Sequence, residues 1–180
     1  MIEVRLATKE DRIKKYRSVI RQCDISSARL DRLGFFTAPA SRRRHGAYEG
    51  GLFDHSFEVM KTLVDFTEKL GLVWERPDSP YIVGLFHDFC KCDMYLKNEE
   101  ELGYRFNDGL IMPGHGELSV MMLQRLIYLT DEEIACIRWH MGAYETDTTL
   151  WNYYGRAVSK YPNVLFTHTA DMYASKVIGV

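Results

Sequence analysis

With 180 residues, 46% hydrophobic and 27% charged, the chain carries enough apolar material for one sizeable core, which excludes a disordered segment and an array of several large domains. A formal net charge of -2 excludes general attraction to duplex nucleic acid or an anionic membrane, so phosphate binding requires a local cluster of cations. Cys23, Cys90, Cys92 and Cys136 form no Cys-x-x-Cys pair and sit in apolar surroundings, which predicts core-filling thiols in a reducing cytoplasm rather than a disulfide framework.

The start, Met1 to Arg5, leads into charged residues without the apolar stretch of a signal peptide, and no run approaches the roughly 18 apolar residues of a membrane span. The expectation is a soluble cytoplasmic protein with no membrane partner. Lys9 to Cys23 reads as an amphipathic helix, with Ile13, Tyr16, Val19 and Ile20 at helical spacing and a solvated basic face. Thr37 to Gly51 has turn formers at both ends and no periodicity, and so reads as a loop. Its Arg42, Arg43, Arg44 and His45 could bind a phosphate by forked, charge-assisted hydrogen bonds, but taken alone read first as a solvated charge run.

Leu52 to Leu70 is strongly helical, with His55 on its apolar face as either a hydrogen-bonded core residue or a ligand; Gly71 ends it. Pro77 to Pro80 opens the next helical run, whose Tyr81, Ile82, Val83, Leu85, Phe86 and Phe89 surround His87 and Asp88, with Lys91 three residues on. A carboxylate in such a setting must be paired or metal-bound. The more polar piece after Lys91, with Glu99, Glu100 and Glu101 between two aromatic-bearing stretches, is compatible with a small hairpin. His115, between two glycines after Pro113, suits a ligand or an ordinary turn, and the helix it opens should run to about Leu129. Thr130 and Glu133 form a capping box for a helix ending at His140, where an imidazole can also serve the helix dipole. Asp147 caps another helix, and Val164 to Val177 carries His168 and an apolar-surrounded Asp171 that needs a partner.

In order, the candidates are His55, His87, Asp88, His115, His140 and Asp171. Four imidazoles and two carboxylates form a nitrogen and oxygen set suited to manganese, iron, cobalt, nickel or zinc, and Asp88, with two oxygens, could bridge a pair of ions.

This pattern resembles the HD-domain superfamily of metal-dependent phosphohydrolases, whose motif is a histidine, then His-Asp, then a distal aspartate. Here it falls on His55, His87, Asp88 and Asp171, within Gly51-Leu52-Phe53-Asp54-His55-Ser56 and Leu85-Phe86-His87-Asp88-Phe89-Cys90-Lys91. His115 and His140 resemble the extra pair of the dinuclear branch. The loop specific to cyclic dinucleotide phosphodiesterases of that branch is absent after Lys91.

The resemblance implies two divalent transition metal ions, one held by His55, His87, Asp88 and Asp171, the other by Asp88, His115 and His140. It implies catalytic roles for Asp88 and for Lys91, the latter meeting a substrate phosphate, and a metal-activated water that cleaves a phosphoester. Arg42, Arg43, Arg44 and His45 then become candidates for the substrate mouth. The substrate expected is a phosphorylated small molecule, a nucleotide or a single-stranded nucleic-acid end. Two alternatives accompany this reading. One is a mixed-valent di-iron oxygenase of the same superfamily, with Tyr48 and Glu49 near the substrate; the other is a non-catalytic, metal-holding regulatory module. The fold implied is all-α, an HD-domain-like helical bundle with an interior metal site and room for one small β-hairpin. Residues 1–180 are read as a single domain, with the metal-site core over about 50–177 and an N-terminal helix and arginine-rich loop over about 9–50.

Overall fold

A computed structural model describes residues 7–98, 103–112, 114–142 and 147–180. The segment from Met1 to Arg5, Glu99, Glu100, Glu101 and Pro113, all named above, lie outside the described residues. The helices are α1 (Lys9–Val19), α2 (Ser27–Arg32), α3 (Gly51–Leu70), α4 (Ser79–Phe86), α5 (Lys91–Met94), α6 (His115–Leu123), α7 (Asp131–Arg138), α8 (Trp151–Lys160) and α9 (Asn163–Tyr173). The expected hairpin is present: β1 (Tyr95–Lys97) pairs antiparallel with β2 (Tyr104–Phe106), Leu96 facing Arg105. None of the described helices is long and apolar enough to cross a membrane.

The longest helix, α3, lays Leu52, Phe53, Val59, Met60 and Leu63 into the core, the apolar stripe its spacing predicts. Phe35, from the segment after α2, meets the rings of Phe53, Phe86 and Phe89 with centroids 5.4 to 5.7 Å apart, binding α2, α3 and α4 into one apolar centre. Burying each of these rings is worth about 1.5–3 kcal/mol. Two glycines set the helix crossings that matter for the site. A Cβ on Gly84 would fall 2.3 Å from the Cα of Met60, so only glycine lets α4 press against α3 this closely. A Cβ on Gly116 would fall 2.2 Å from the main-chain oxygen of Arg138, and the same argument seats α6 on the end of α7.

Several boundaries differ from the sequence reading. The apolar run around His87 does not continue as one helix to Lys91. Helix α4 ends at Phe86, and three-residue turn bonds from Phe89 N–H to Phe86 O and from Lys91 N–H to Asp88 O tighten the chain before α5. Helix α6 stops at Leu123 rather than near Leu129, its last turns tightened in the same way by Leu126 N–H to Leu123 O. At the other end, α9 widens into a π-type turn over Ala174–Ile178. The face of α1 read as solvated hides one charge: Arg12 is buried and donates to both oxygens of Asp54 at 3.0 and 2.8 Å, and Tyr48 Oη donates to the same carboxylate at 3.2 Å. This fork joins α1 and the arginine-bearing loop to the first turn of α3. The Thr130–Glu133 capping box forms as predicted, with Glu133 also taking a two-point contact from Arg76.

Candidate metal centre

His55 comes from the first turns of α3, His87 and Asp88 from the turn that closes α4, and His115 from the first residue of α6. His140 follows the end of α7, and Asp171 lies on α9. His55, His87, Asp88 and His140 are buried, whereas Asp171 and His115 keep partial exposure.

Three imidazoles are oriented by the main chain. Nδ1 of His55 lies 2.9 Å from the main-chain oxygen of Val180, Nδ1 of His87 2.9 Å from Gly84 O, and Nδ1 of His140 2.7 Å from Ile137 O. A main-chain oxygen can only accept, so in each ring Nδ1 carries a hydrogen, and Nε2 holds the lone pair whenever the ring is neutral. Those lone pairs converge. Nε2 of His55 stands 3.3 Å from Nε2 of His87 and 3.1 Å from Asp171 Oδ1. Nε2 of His140 stands 3.4 Å from Asp88 Oδ1, and both of these buried atoms lack a hydrogen-bond partner among the described residues. With the rings neutral, acceptor faces acceptor at these contacts, which is repulsive until a proton or a cation comes between them; burial works against a charge on His87, but Asp88 outweighs it and moves that ring above its usual range. Imidazoles held at Nδ1 by carbonyls, with Nε2 and carboxylate oxygens presented inward, are the donor set and support that a divalent metal requires.

Asp88 is divided between two neighbourhoods. Its Oδ2 faces Nε2 of His87 at 3.4 Å, Nε2 of His55 at 3.7 Å and Nζ of Lys91 at 2.5 Å. Its Oδ1 faces Nε2 of His140 at 3.4 Å and Nδ1 of His115 at 3.9 Å. Burial works against the charge on Asp88, but Lys91 and His87 outweigh it and hold the carboxyl well below its usual range. Lys91, buried as well, is pushed down by desolvation and more strongly up by Asp88, so it stays an ammonium. His115 moves down, burial outweighing the pull of Asp88. Burial also takes His45 down to about 4, and the Lys91 ammonium adds to it.

A cavity of about 170 Å³ opens beside Asp88 and Asp171, and Arg44, His45, Lys91, Tyr95 and Lys176 are among its lining. Of the four loop residues read as a substrate mouth, Arg44 and His45 reach it, the His45 ring 5.2 Å from that of His55. Arg42 and Arg43 do not: both are exposed, and the Arg42 guanidinium lies over the Phe106 ring of the hairpin at 4.2 Å. Tyr48 is spent on Asp54 and Glu49 pairs with Lys97, so neither residue named for an oxygenase lines the cavity. His168 sends Nδ1–H to the main-chain oxygen of His140 at 2.7 Å, steadying that residue's backbone. The sequence reading passed over Tyr95, Lys176 and Cys90. Lys176 follows Asp171 by five positions, which on a regular helix points elsewhere, so spacing carried no signal for it.

Fold and site together define a helical protein built around an interior centre of histidine and aspartate donors. The sequence matches the family model of the HD domain over residues 52–174, and the chain belongs to that family, within a superfamily of metal-dependent phosphohydrolases. Comparison with curated proteins and with solved structures gave no match. The matched span leaves out the loop bearing Arg44 and His45 and the turn bearing Lys176.

Proposed function

We propose that the protein hydrolyses a phosphoester of a nucleotide or of a nucleic-acid end, using two divalent ions shared by Asp88. His55, His87, Asp88 and Asp171 would hold one ion, and Asp88, His115 and His140 the other. The observation that supports this reading is the division of Asp88: its Oδ2 faces Nε2 of His87 and His55, and its Oδ1 faces Nε2 of His140 and Nδ1 of His115. When bound, such ions supply an acidified water as nucleophile and neutralise charge on the phosphoryl oxygens.

The chain's own groups do the rest. Lys91 spends one of its three hydrogens on Asp88 and has the others for a phosphoryl oxygen at the cavity. Arg44 and Lys176 add positive charge at the rim, which orients an anionic group and strengthens its binding in a half-enclosed site. His45, neutral near pH 7, offers a hydrogen bond without adding a like charge beside Lys91. The cavity volume of about 170 Å³ suits a phosphoryl group with part of a sugar, and the net charge of -2 disfavours a continuous duplex. The binding of Tyr48 and Glu49 elsewhere removes the support they lent to oxygenase chemistry. Four unpaired cysteines suit a reducing compartment, in keeping with a cytoplasmic location.

The test is to strip the purified chain of metal, reload it with manganese, cobalt, nickel or zinc, and measure bound metal and phosphate release from nucleotides. Two ions per chain with metal-dependent release are expected. Lys91→Ala should keep both ions while turnover falls by roughly 10²–10³. A Lys91→Ala protein that loses its metal would contradict this division of roles.

A further inference from the structure

We propose that Cys90 is a metal ligand, joining Asp88 and His115 in a site of oxygen, sulfur and nitrogen donors that prefers zinc, cobalt or ferrous iron to manganese. This rests on the reading that the centre holds metal, and it concerns the Oδ1 side of Asp88, where His140 also arrives.

The Sγ of Cys90 lies 3.7 Å from Nδ1 of His115, which lies 3.9 Å from Asp88 Oδ1, and all three donor atoms fall within 4.8 Å of one another. In tetrahedral zinc, bonds of about 2.3 Å to sulfur and about 2.0 Å to nitrogen or oxygen separate neighbouring donors by roughly 3.3–3.6 Å. On the two edges that meet at His115 Nδ1, closing onto an ion takes shifts of about half an ångström or less. A second observation points the same way. Asp88 Oδ1, one corner of this triangle, is buried and has no hydrogen-bond partner among the described residues.

The backbone holds the pair in place. Cys90 is fully buried in the turn between α4 and α5, and its N–H donates to Ser119 Oγ at 3.1 Å. Ser119 lies one turn along α6 from His115, so the same helix positions both the sulfur and the imidazole. Among the described residues Cys90 is the cysteine that joins such a donor group, while Cys23 packs beside Tyr16 and Cys136 is buried on α7. Coordination transfers the thiol proton to solvent and leaves a thiolate on the ion, a soft donor that favours zinc, cobalt or ferrous iron over manganese.

Two measurements on the full chain decide this. With zinc bound to the unaltered protein, X-ray absorption at the zinc edge should find a sulfur neighbour at about 2.3 Å; a shell of nitrogen and oxygen alone overturns the proposal. With cobalt bound, a sulfur-to-metal charge-transfer band should appear in the near ultraviolet, vanish in Cys90→Ser and persist in Cys92→Ser. Retention of the band in Cys90→Ser also overturns it. The Cys90→Ser protein should lose roughly 10- to 100-fold of its preference for zinc over manganese. Should that variant fail to fold, the zinc-edge spectrum of the unaltered chain still decides. Metal bound without sulfur removes Cys90 alone from the site, whereas a folded chain that binds no metal removes the metal reading itself.

Discussion

The two sides of Asp88 are built differently. On the Oδ2 side, His55 and His87 are fully buried, come from two helices pressed together at Gly84, and have each ring held by a main-chain oxygen. On the Oδ1 side, His140 is equally buried and anchored, but His115 opens a helix at the cavity and keeps a third of its side-chain surface exposed, at 33%. The Oδ2 side is therefore mostly part of the core, with Asp171 as its donor at the cavity, whereas the Oδ1 side has His115, the more exposed donor, at the rim. Donors held by the core need little reordering to take an ion, whereas a rim donor has conformational freedom to lose, so under the two-ion proposal the Oδ2 side is expected to bind the more tightly.

Asp88→Ala breaks the comparison altogether, since it removes the group both sides share. Metal content should fall from two ions toward none, and activity by at least the roughly 10²–10³ that one electrostatic group supplies, measured by elemental analysis and phosphate release. A variant that still held two ions would show that the sides do not depend on a common carboxylate.

Single-side changes sharpen the contrast. His115→Ala should leave one ion bound and thermal stability nearly unchanged. By comparison, His55→Ala should lose the ion on its side and destabilise the metal-free fold by about 1–3 kcal/mol, because it removes a fully buried side chain together with its hydrogen bond to Val180 O. Urea titration of both metal-free proteins, with metal counted after reloading, checks the pair. Equal losses of stability would erase the distinction between core and rim.

The smallest effect belongs to the outer rim. Lys176→Met should raise KM about fivefold at unchanged kcat, the scale of ~1 kcal/mol expected of a solvent-accessible ion pair. Steady-state kinetics at two salt concentrations would check it, since the difference from the unaltered protein should shrink as salt rises.

Much of this organisation was legible from residue order. The spacing of Leu52, Val59 and Leu63 marked α3, Thr130 with Glu133 marked the start of α7, and the aromatic stretches after Lys91 marked the hairpin. Boundaries were less so where a segment is apolar on all sides. From Ile82 to Phe89 no period distinguishes a helix from the tightened turn that follows Phe86, because both bury every side chain. Arg12 was read as solvated because charge alone does not reveal a partner 42 positions away, at Asp54.

What the sequence determined by itself was the kind of chemistry: helices with inward histidines and aspartates, a donor set suited to divalent metals, and a lysine close to the central aspartate. These follow from residue type and from periodicities that local backbone geometry imposes. Tertiary structure alone decided how Asp88 divides its oxygens, that Arg44 and His45 rather than Arg42 and Arg43 meet the cavity, and that Lys176 and Cys90 stand beside the centre. The reason is that each depends on contacts between distant segments. The oxygen that orients His55 belongs to Val180, 125 positions away, and the crossings at Gly84 and Gly116 bring the histidine-bearing helices together. Periodicity along a chain reports which face is buried; where two buried faces meet is settled only by packing.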